Sequence, residues 1–218
     1  MITAAHVNWL ELDRSPHAVQ FYSGENFLLD SGVRFISTAL RAGNSAMIIA
    51  TQAHRDGITE RLKTLGVDTD GAVRKGQYVT VDAHRLLAQL VVDGQLSRTR
   101  FDEFLYKFML PLRAAAQGER KLVAVFGELV GMLWADGDPE AAIELEHFWN
   151  ELSSQGSYCL RCLYPIASFS DPAQSELFTK LCAEHVGTIP PDSPLASAAE
   201  QNPLGNLATR VRQFENAA

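Results

Sequence analysis

The sequence predicts a three-layer α/β domain, a mostly parallel sheet with helices on both faces. Short β-forming runs alternate with segments of helical periodicity, the centres of several runs are continuously apolar, and the breaks between them carry Gly, Pro, Asp or Asn. A strand that is apolar on both sides needs cover on both sides. Parallel strands also need crossover connections, which helices supply.

The first run, His17 to Tyr22 (HAVQFY), breaks at Ser23, Gly24, Glu25 and Asn26. Phe27, Leu28, Phe35, Ile36, Ala39 and Leu40 then follow at helical spacing as far as Gly43. AMIIA at 46–50 reads as a buried strand, with Ile58, Leu62 and Leu65 marking a helix closed by Gly66. QYVTVD at 77–82 is the third strand, and Leu86, Leu87, Leu90 and Val91 share one helical face up to a stop at Gly94. Phe101, Phe104, Leu105, Phe108 and Leu112 mark a further helix, which Pro111 should kink or end because it removes a backbone donor.

KLVAVF at 121–126 is the fourth strand and turns at Gly127 and Glu128 into a short helix through Trp134. Gly137, Asp138 and Pro139 start another helix, carrying Leu145, Phe148, Trp149 and Leu152. YCLRCLY at 158–164 is the fifth strand, stopped by Pro165, and a helix runs over about 172–185. Residues 188–203, with four prolines, read as a linker. Leu204, Leu207, Val211 and Phe214 then recur as the a/d seam of about two heptads, a helix too short to stand alone and expected to pack on a second subunit or on its own domain.

A net charge of −7 with no Lys/Arg run argues against direct nucleic-acid binding, since a phosphate backbone is gripped by clustered cations. No stretch of about 18 apolar residues is present to cross a bilayer, and residues 1–16 carry Asp, Glu and Arg instead of a signal-peptide core. The expectation is a cytoplasmic protein without membrane contact. Three cysteines, Cys159, Cys162 and Cys182, make an odd count and are expected to stay reduced.

Ligands of open α/β sheets sit outside the carboxyl ends of the strands, so residues just after each strand carry most weight. The loop after the first strand lacks the glycine spacing and the Lys-Ser/Thr pair of a phosphate loop. Asp82 has the position of a magnesium-holding strand-end carboxylate, or is simply a polar residue lining a cleft. Glu128 opens a helix, where unpaired N–H groups favour a carboxylate, and serves either as ligand-binding group or base or as a plain helix-start acid. His17, at the amino end of its strand, reads as a ligand contact, a proton sensor or a structural hydrogen-bonding group. Tyr22 and Phe126, at strand carboxyl ends, are pocket candidates, and Trp134 joins them.

Cys159 and Cys162 form a C-x-x-C, but on an extended strand an offset of three sends the two sulfurs to opposite faces. Glu144 and His147 share a helical face, yet the second Glu-x-x-His pair of a carboxylate-bridged metal centre is missing. No metal site is expected, no catalytic residue is assigned, and the cofactor is unknown. Hydrolase, zincin and dinucleotide motifs are absent.

His17, Phe21 and Tyr22 (H-x-x-x-F-Y), the I-I-A-T-x-x-H of 48–54, the F-G-E-L-V of 126–130 with Trp134, the L-E-x-x-W-N of 145–150 and the C-L-Y-P of 162–165 together resemble the MEDS family, the methanogen/methylotroph sensory domain. The resemblance implies a RecA/KaiC-like fold that has lost its phosphate loop. It also implies an input module of the kind placed ahead of histidine kinases or DNA-binding segments, sensing small hydrocarbon-type ligands. The likeness runs from about His17 to Pro190, and the chain is read as an N-terminal segment, 1–16, a sensory domain, 17–187, the linker, 188–203, and an amphipathic helix, 204–218. The expected departure from that arrangement is that no kinase or helix-turn-helix region follows the helix, so that the signal passes to a separate protein or through oligomerisation.

The combined expectation is a non-catalytic sensory or regulatory domain. It binds a small ligand through His17, Tyr22, Asp82, Phe126, Glu128 and Trp134 and relays the event through the C-terminal helix. The receiver is a signalling partner, a histidine kinase or transcription regulator, or a second copy in a homo-oligomer. The alternative is a degenerate nucleotide-binding or ATPase domain in which Asp82 and Glu128 hold magnesium.

Overall fold

A computed structural model of the chain describes residues 16–119, 121–169 and 174–185, and the backbone of 187–189. β1 (His17–Tyr22) leads into α1 (Glu25–Arg41), and β2 (Ser45–Ala50) into α2 (Gln52–Thr64) and the short α3 (Thr69–Arg74). β3 (Tyr78–Asp82) leads into α4 (Ala83–Leu90), a small ribbon of β4 (Val91–Val92) and β5 (Gln95–Leu96), and α5 (Arg98–Phe104). One wide turn over Leu105–Met109 joins α5 to α6 (Leu110–Ala115). There follow β6 (Val123–Gly127), α7 (Leu129–Ala135), α8 (Pro139–Ser153), β7 (Tyr158–Pro165), a tight turn over Ile166–Phe169, α9 (Ser175–Ala183) and β8 (Gly187–Ile189).

The described residues form a six-stranded sheet in the order β3-β2-β6-β7-β1-β8 in which every neighbouring pair is parallel. The five expected strands are all present. The sixth, β8, takes up Thr188 and Ile189, where the sequence places the start of the linker. The rest of that linker, the helix at 204–218 and the segment 1–15 lie outside the described residues.

Alternation along the strands feeds two cores. Met47 and Ile49 of β2 face one side with Val125, Leu160, Cys162 and Tyr164, covered by α4 to α9. Ala46, Ile48 and Ala50 face the other side with Phe126, Cys159 and Leu163, covered by α1 and α2. The two sulfurs of the C-x-x-C therefore lie on opposite faces, as strand geometry requires. Each fully buried Leu, Ile or Phe contributes roughly 1.5–3 kcal/mol, so it is these two layers that hold the strand tips in register.

Two breaks differ from the sequence reading. Gly94 does not stop a helix: Asp93 and Gly94 both have positive φ, 50° and 79°, and make the two-residue turn that joins β4 to β5. A left-handed pair is the turn whose twist matches a hairpin, and Asp-Gly favours it. Pro111 falls in the first turn of α6, just after the wide turn in which the N–H of Leu110 bonds back to the carbonyl of Leu105. Its missing donor sits where the helix tolerates it.

The helices after β1 and β2 pack on one face, and those after β3, β6 and β7 on the other. β2 and β6 are neighbours whose chains leave toward opposite faces. That is a topological switch point, the place where open parallel sheets form a crevice at their carboxyl ends. Among the described residues no helix is long and apolar enough to cross a membrane.

Candidate functional site

The switch point is occupied by polar groups from both strand ends. The N–H of Glu128 donates to the carbonyl of Ile49 (2.9 Å), which ties the tip of β6 to β2 and aims the Glu128 side chain across the gap. Its Oε2 accepts the N–H of Thr51 (2.8 Å), and its Oε1 pairs with Nδ1 of His54. The Thr51 hydroxyl caps α2 by accepting the N–H of His54 (3.4 Å), so one short segment both starts the helix and presents His54 to the carboxylate.

The hydrogen bond to Glu128 raises the His54 pKa; burial opposes it, and the charges of Glu128 and Glu25 add to it. Burial, and then the charge of Glu128, pushes the Tyr22 hydroxyl well above its usual value, so it remains a donor. The result is a carboxylate and an imidazole at one strand junction, with a phenol within reach of the carboxylate's charge; the His54 side chain is 18% exposed and that of Glu128 5%.

Asp82 ends β3, where it accepts the N–H of Arg85 (2.9 Å) as the cap of α4 and pairs with Nη2 of Arg55 (2.7 Å). The backbone N–H of Arg85 is the main influence holding its carboxyl below the usual range. β3 and β6 flank β2, which puts Asp82 and Glu128 two strand spacings apart, roughly 9–10 Å. They do not converge. The Phe126 ring is wholly buried, 6.2 Å from that of Phe35, on the α1 face. Trp134 is buried on the opposite face against Tyr164 and Phe169, its indole N–H donating to Gln174 (3.1 Å). Of the six residues chosen from sequence, only Glu128 stands at the switch point itself, and Tyr22, at the end of β1 two strands beyond β6, is near enough for the charge of Glu128 to act on it. A groove of about 440 Å³ runs along α4, β4 and α5, and none of the six lines it.

His17 belongs to a second cluster, beneath α8. Its Nδ1 lies 2.7 Å from Oδ1 of Asn150 and its Nε2 lies 3.1 Å from Sγ of Cys162 and 3.0 Å from Oε2 of Glu146. His185 approaches Oε1 of Glu146 at 3.2 Å, and the Tyr164 hydroxyl donates to that same oxygen (2.9 Å). Burial works to raise the Glu146 pKa, but the histidines, His185 foremost, bring the carboxyl below its usual range. Burial and Glu146 push the Cys162 thiol up.

Sequence reasoning passed over Glu146, Asn150 and His185 as site residues. On α8 it weighed Glu144 and His147, and both are exposed; Glu146 and Asn150, one turn apart, are the polar residues that turn inward. His54 was equally readable, since it closes a segment that starts in a buried strand and continues through a capping Thr.

None of the curated proteins matches the chain. Residues 16–180 match the family described as MEthanogen/methylotroph, DcmR Sensory domain. That match spans most of the chain and covers both clusters except His185, and the chain accordingly belongs to the MEDS family of sensory domains.

Proposed function

We propose that the chain is a non-catalytic, ligand-responsive signalling module. A small ligand is taken at the switch point between β2 and β6, against Glu128, His54 and Tyr22, with Asp82 toward the β3 side. The observation that carries this reading is the Glu128–His54 pair, a carboxylate and a partly exposed imidazole at the crevice the topology dictates. Both Glu128 oxygens are already engaged, by His54 and the N–H of Thr51, which favours exchange of hydrogen bonds with a ligand over action as a free base. The family's description as a sensory domain supports the same role. RecA/KaiC-like ancestry belongs to this reading as well, with Ser23, Gly24, Glu25 and Asn26 where a phosphate loop would need its Lys-Ser/Thr pair.

The response runs through the segment 204–218 to a histidine kinase, a transcription regulator or a second subunit in the cytoplasm. Binding favours one packing of that segment, as a population shift requires. The nucleotide alternative finds less support, because Asp82 is held by Arg55 and Arg85 and stands across β2 from Glu128.

Native mass spectrometry of protein purified from its host tests the proposal. The expected result is a retained small molecule, lost in Glu128→Gln and His54→Gln variants with unchanged circular dichroism. A molecule retained equally by both variants overturns the assignment. Calorimetric binding of millimolar ATP with magnesium, lost in Asp82→Asn, would establish the alternative instead.

A further inference from the structure

The cluster beneath α8 holds Nε2 of His17, a carboxylate oxygen of Glu146, Sγ of Cys162 and Nε2 of His185, all within 4.8 Å of one another. They come from four separate segments, β1, α8, β7 and the turn after α9, and the side chains of His17, Glu146 and His185 are fully buried.

The hydrogen-bond network fixes where the ring protons are. Nδ2 of Asn150 donates to both the carbonyl (2.6 Å) and the carboxylate (2.7 Å) of Glu184, so Oδ1 is the atom that faces His17. An amide oxygen only accepts, which places the hydrogen of His17 on Nδ1 and leaves a lone pair on Nε2 of the neutral ring. His185 repeats the pattern. Its Nδ1 donates to the carbonyl of Leu181 (2.8 Å), so its Nε2, 3.2 Å from Oε1 of Glu146, is the position that carries a proton when the ring is charged and a lone pair when it is neutral.

With both rings neutral, four acceptor positions converge: two imidazole lone pairs and the two oxygens of Glu146. The hydrogens available to them are those of the Tyr164 hydroxyl, given to Oε1 of Glu146, and the Cys162 thiol, beside Nε2 of His17. Oε2 of Glu146 and Nε2 of His185 are left without a hydrogen-bond partner although both are buried. Burial without a partner is costly for such groups; it works to lower the His185 pKa, but Glu146 meets the cost by drawing a proton onto the facing imidazole, which raises that pKa overall. A cation among these atoms removes the deficit.

We propose that His17, Glu146, Cys162 and His185 bind one divalent zinc-type ion. Imidazole with thiolate selects a borderline-soft ion over magnesium or calcium, which take oxygen donors. One thiolate and one carboxylate balance the charge of the ion within the apolar layer. Each histidine donates its other N–H to a carbonyl-type oxygen, the outer-shell arrangement that orients metal-ligating imidazoles. Ligand atoms around tetrahedral zinc stand about 3.3–3.7 Å apart, given bonds of about 2.0–2.3 Å. The contacts of 3.0–3.2 Å seen here therefore widen by about half an ångström on binding, while the more distant ligand atoms of the set, which lie within 4.8 Å of one another, close in. Four protein ligands and no solvent access make this a closed, structural site, which pins the segment just before β8 to β1 and α8.

The test uses the full chain, stripped with a chelator and titrated with zinc against a chromophoric competitor, then loaded with cobalt. The expected result is one ion per chain, proton release as the thiol ionises, a thiolate-to-cobalt charge-transfer band and the intense visible absorption of four-coordinate cobalt. Cys162→Ala should abolish the charge-transfer band, and His17→Ala should weaken binding at least tenfold. Cys159→Ala, on the opposite face, should change neither, and Glu128→Gln should leave uptake intact, which keeps this result separate from the switch-point reading. Clearly substoichiometric uptake, a pale six-coordinate cobalt spectrum, or a Cys162→Ala variant that binds like the parent overturns the proposal. Should a variant fail to fold, the stoichiometry and cobalt spectrum of the unmodified chain decide on their own.

Discussion

Two carboxylates in this molecule each face histidine, and they differ in what solvent can reach. Glu128 stands at a strand tip with a partner that is partly exposed, and its two oxygens are met by one imidazole and one backbone N–H. Glu146 has no exposure and lies among two imidazoles, a thiol and a phenol. The same residue types therefore serve opposite ends. At Glu128, itself only 5% exposed, the way in is through the 18% exposed His54, so an incoming molecule that displaces the imidazole can take over its hydrogen bond. At Glu146 any exchange needs α8 or the segment after α9 to part from the sheet, so the group ties elements together instead.

The largest expected effect follows from that difference. Glu146→Ala leaves buried imidazoles and the Tyr164 hydroxyl without their common partner, and removing one side of a buried charged set costs about 3–5 kcal/mol. Urea denaturation of the two variants should put Glu128→Gln far nearer the parent, within about 1.5 kcal/mol, because the amide oxygen can still accept the N–H of Thr51 and only the bond to His54 is weakened. Equal losses would break the contrast.

Gly131→Ala comes next. A Cβ at that position would lie 2.2 Å from the carbonyl oxygen of Leu163, so α7 has to retreat from β7. Overpacking of this kind costs about 1–3 kcal/mol. Because α7 opens at Glu128 and rests on the strand that carries Cys162 and Tyr164, both clusters should feel the shift. A denaturation midpoint equal to the parent's would mean that the close approach is not needed.

The pH response sharpens the comparison further. The bond to Glu128 raises the folded pKa of His54 above its unfolded value of about 6.5. The stabilisation is then fully present below that unfolded value and is lost as pH rises through the higher folded one. A His54→Gln chain should show a flatter melting temperature across neutral pH than the parent. Parallel profiles would remove His54 as the titrating group.

The strands and helices were legible because each rests on local apolar continuity, and Glu128 and Tyr22 because they stand immediately after such runs. The β4–β5 ribbon carried a signal, Asp93-Gly94, that also reads as a helix stop. The strand order has no local signature, and neither has β8, three residues long and paired among the described residues with β1 alone. The buried cluster was hidden for a related reason. His17, Glu146, Cys162 and His185 lie in four distant segments, and the C-x-x-C drew attention to the relation between two sulfurs rather than to what Cys162 alone would meet on its own face.

The smallest effect concerns the ion pairs that look most numerous. Arg98 reaches both Asp102 (2.9 Å) and Glu151 and lies 5.0 Å from the Phe148 ring, yet all three charged side chains are about half exposed. Water solvates these groups almost as well when they part, and the pairing immobilises long side chains, so such contacts contribute less than about 1 kcal/mol and fade with salt. Arg98→Ala should therefore change stability by less than that, with the difference shrinking in molar sodium chloride. If it cost as much as Glu146→Ala and resisted salt, access to solvent would not be what separates the charged groups of this fold.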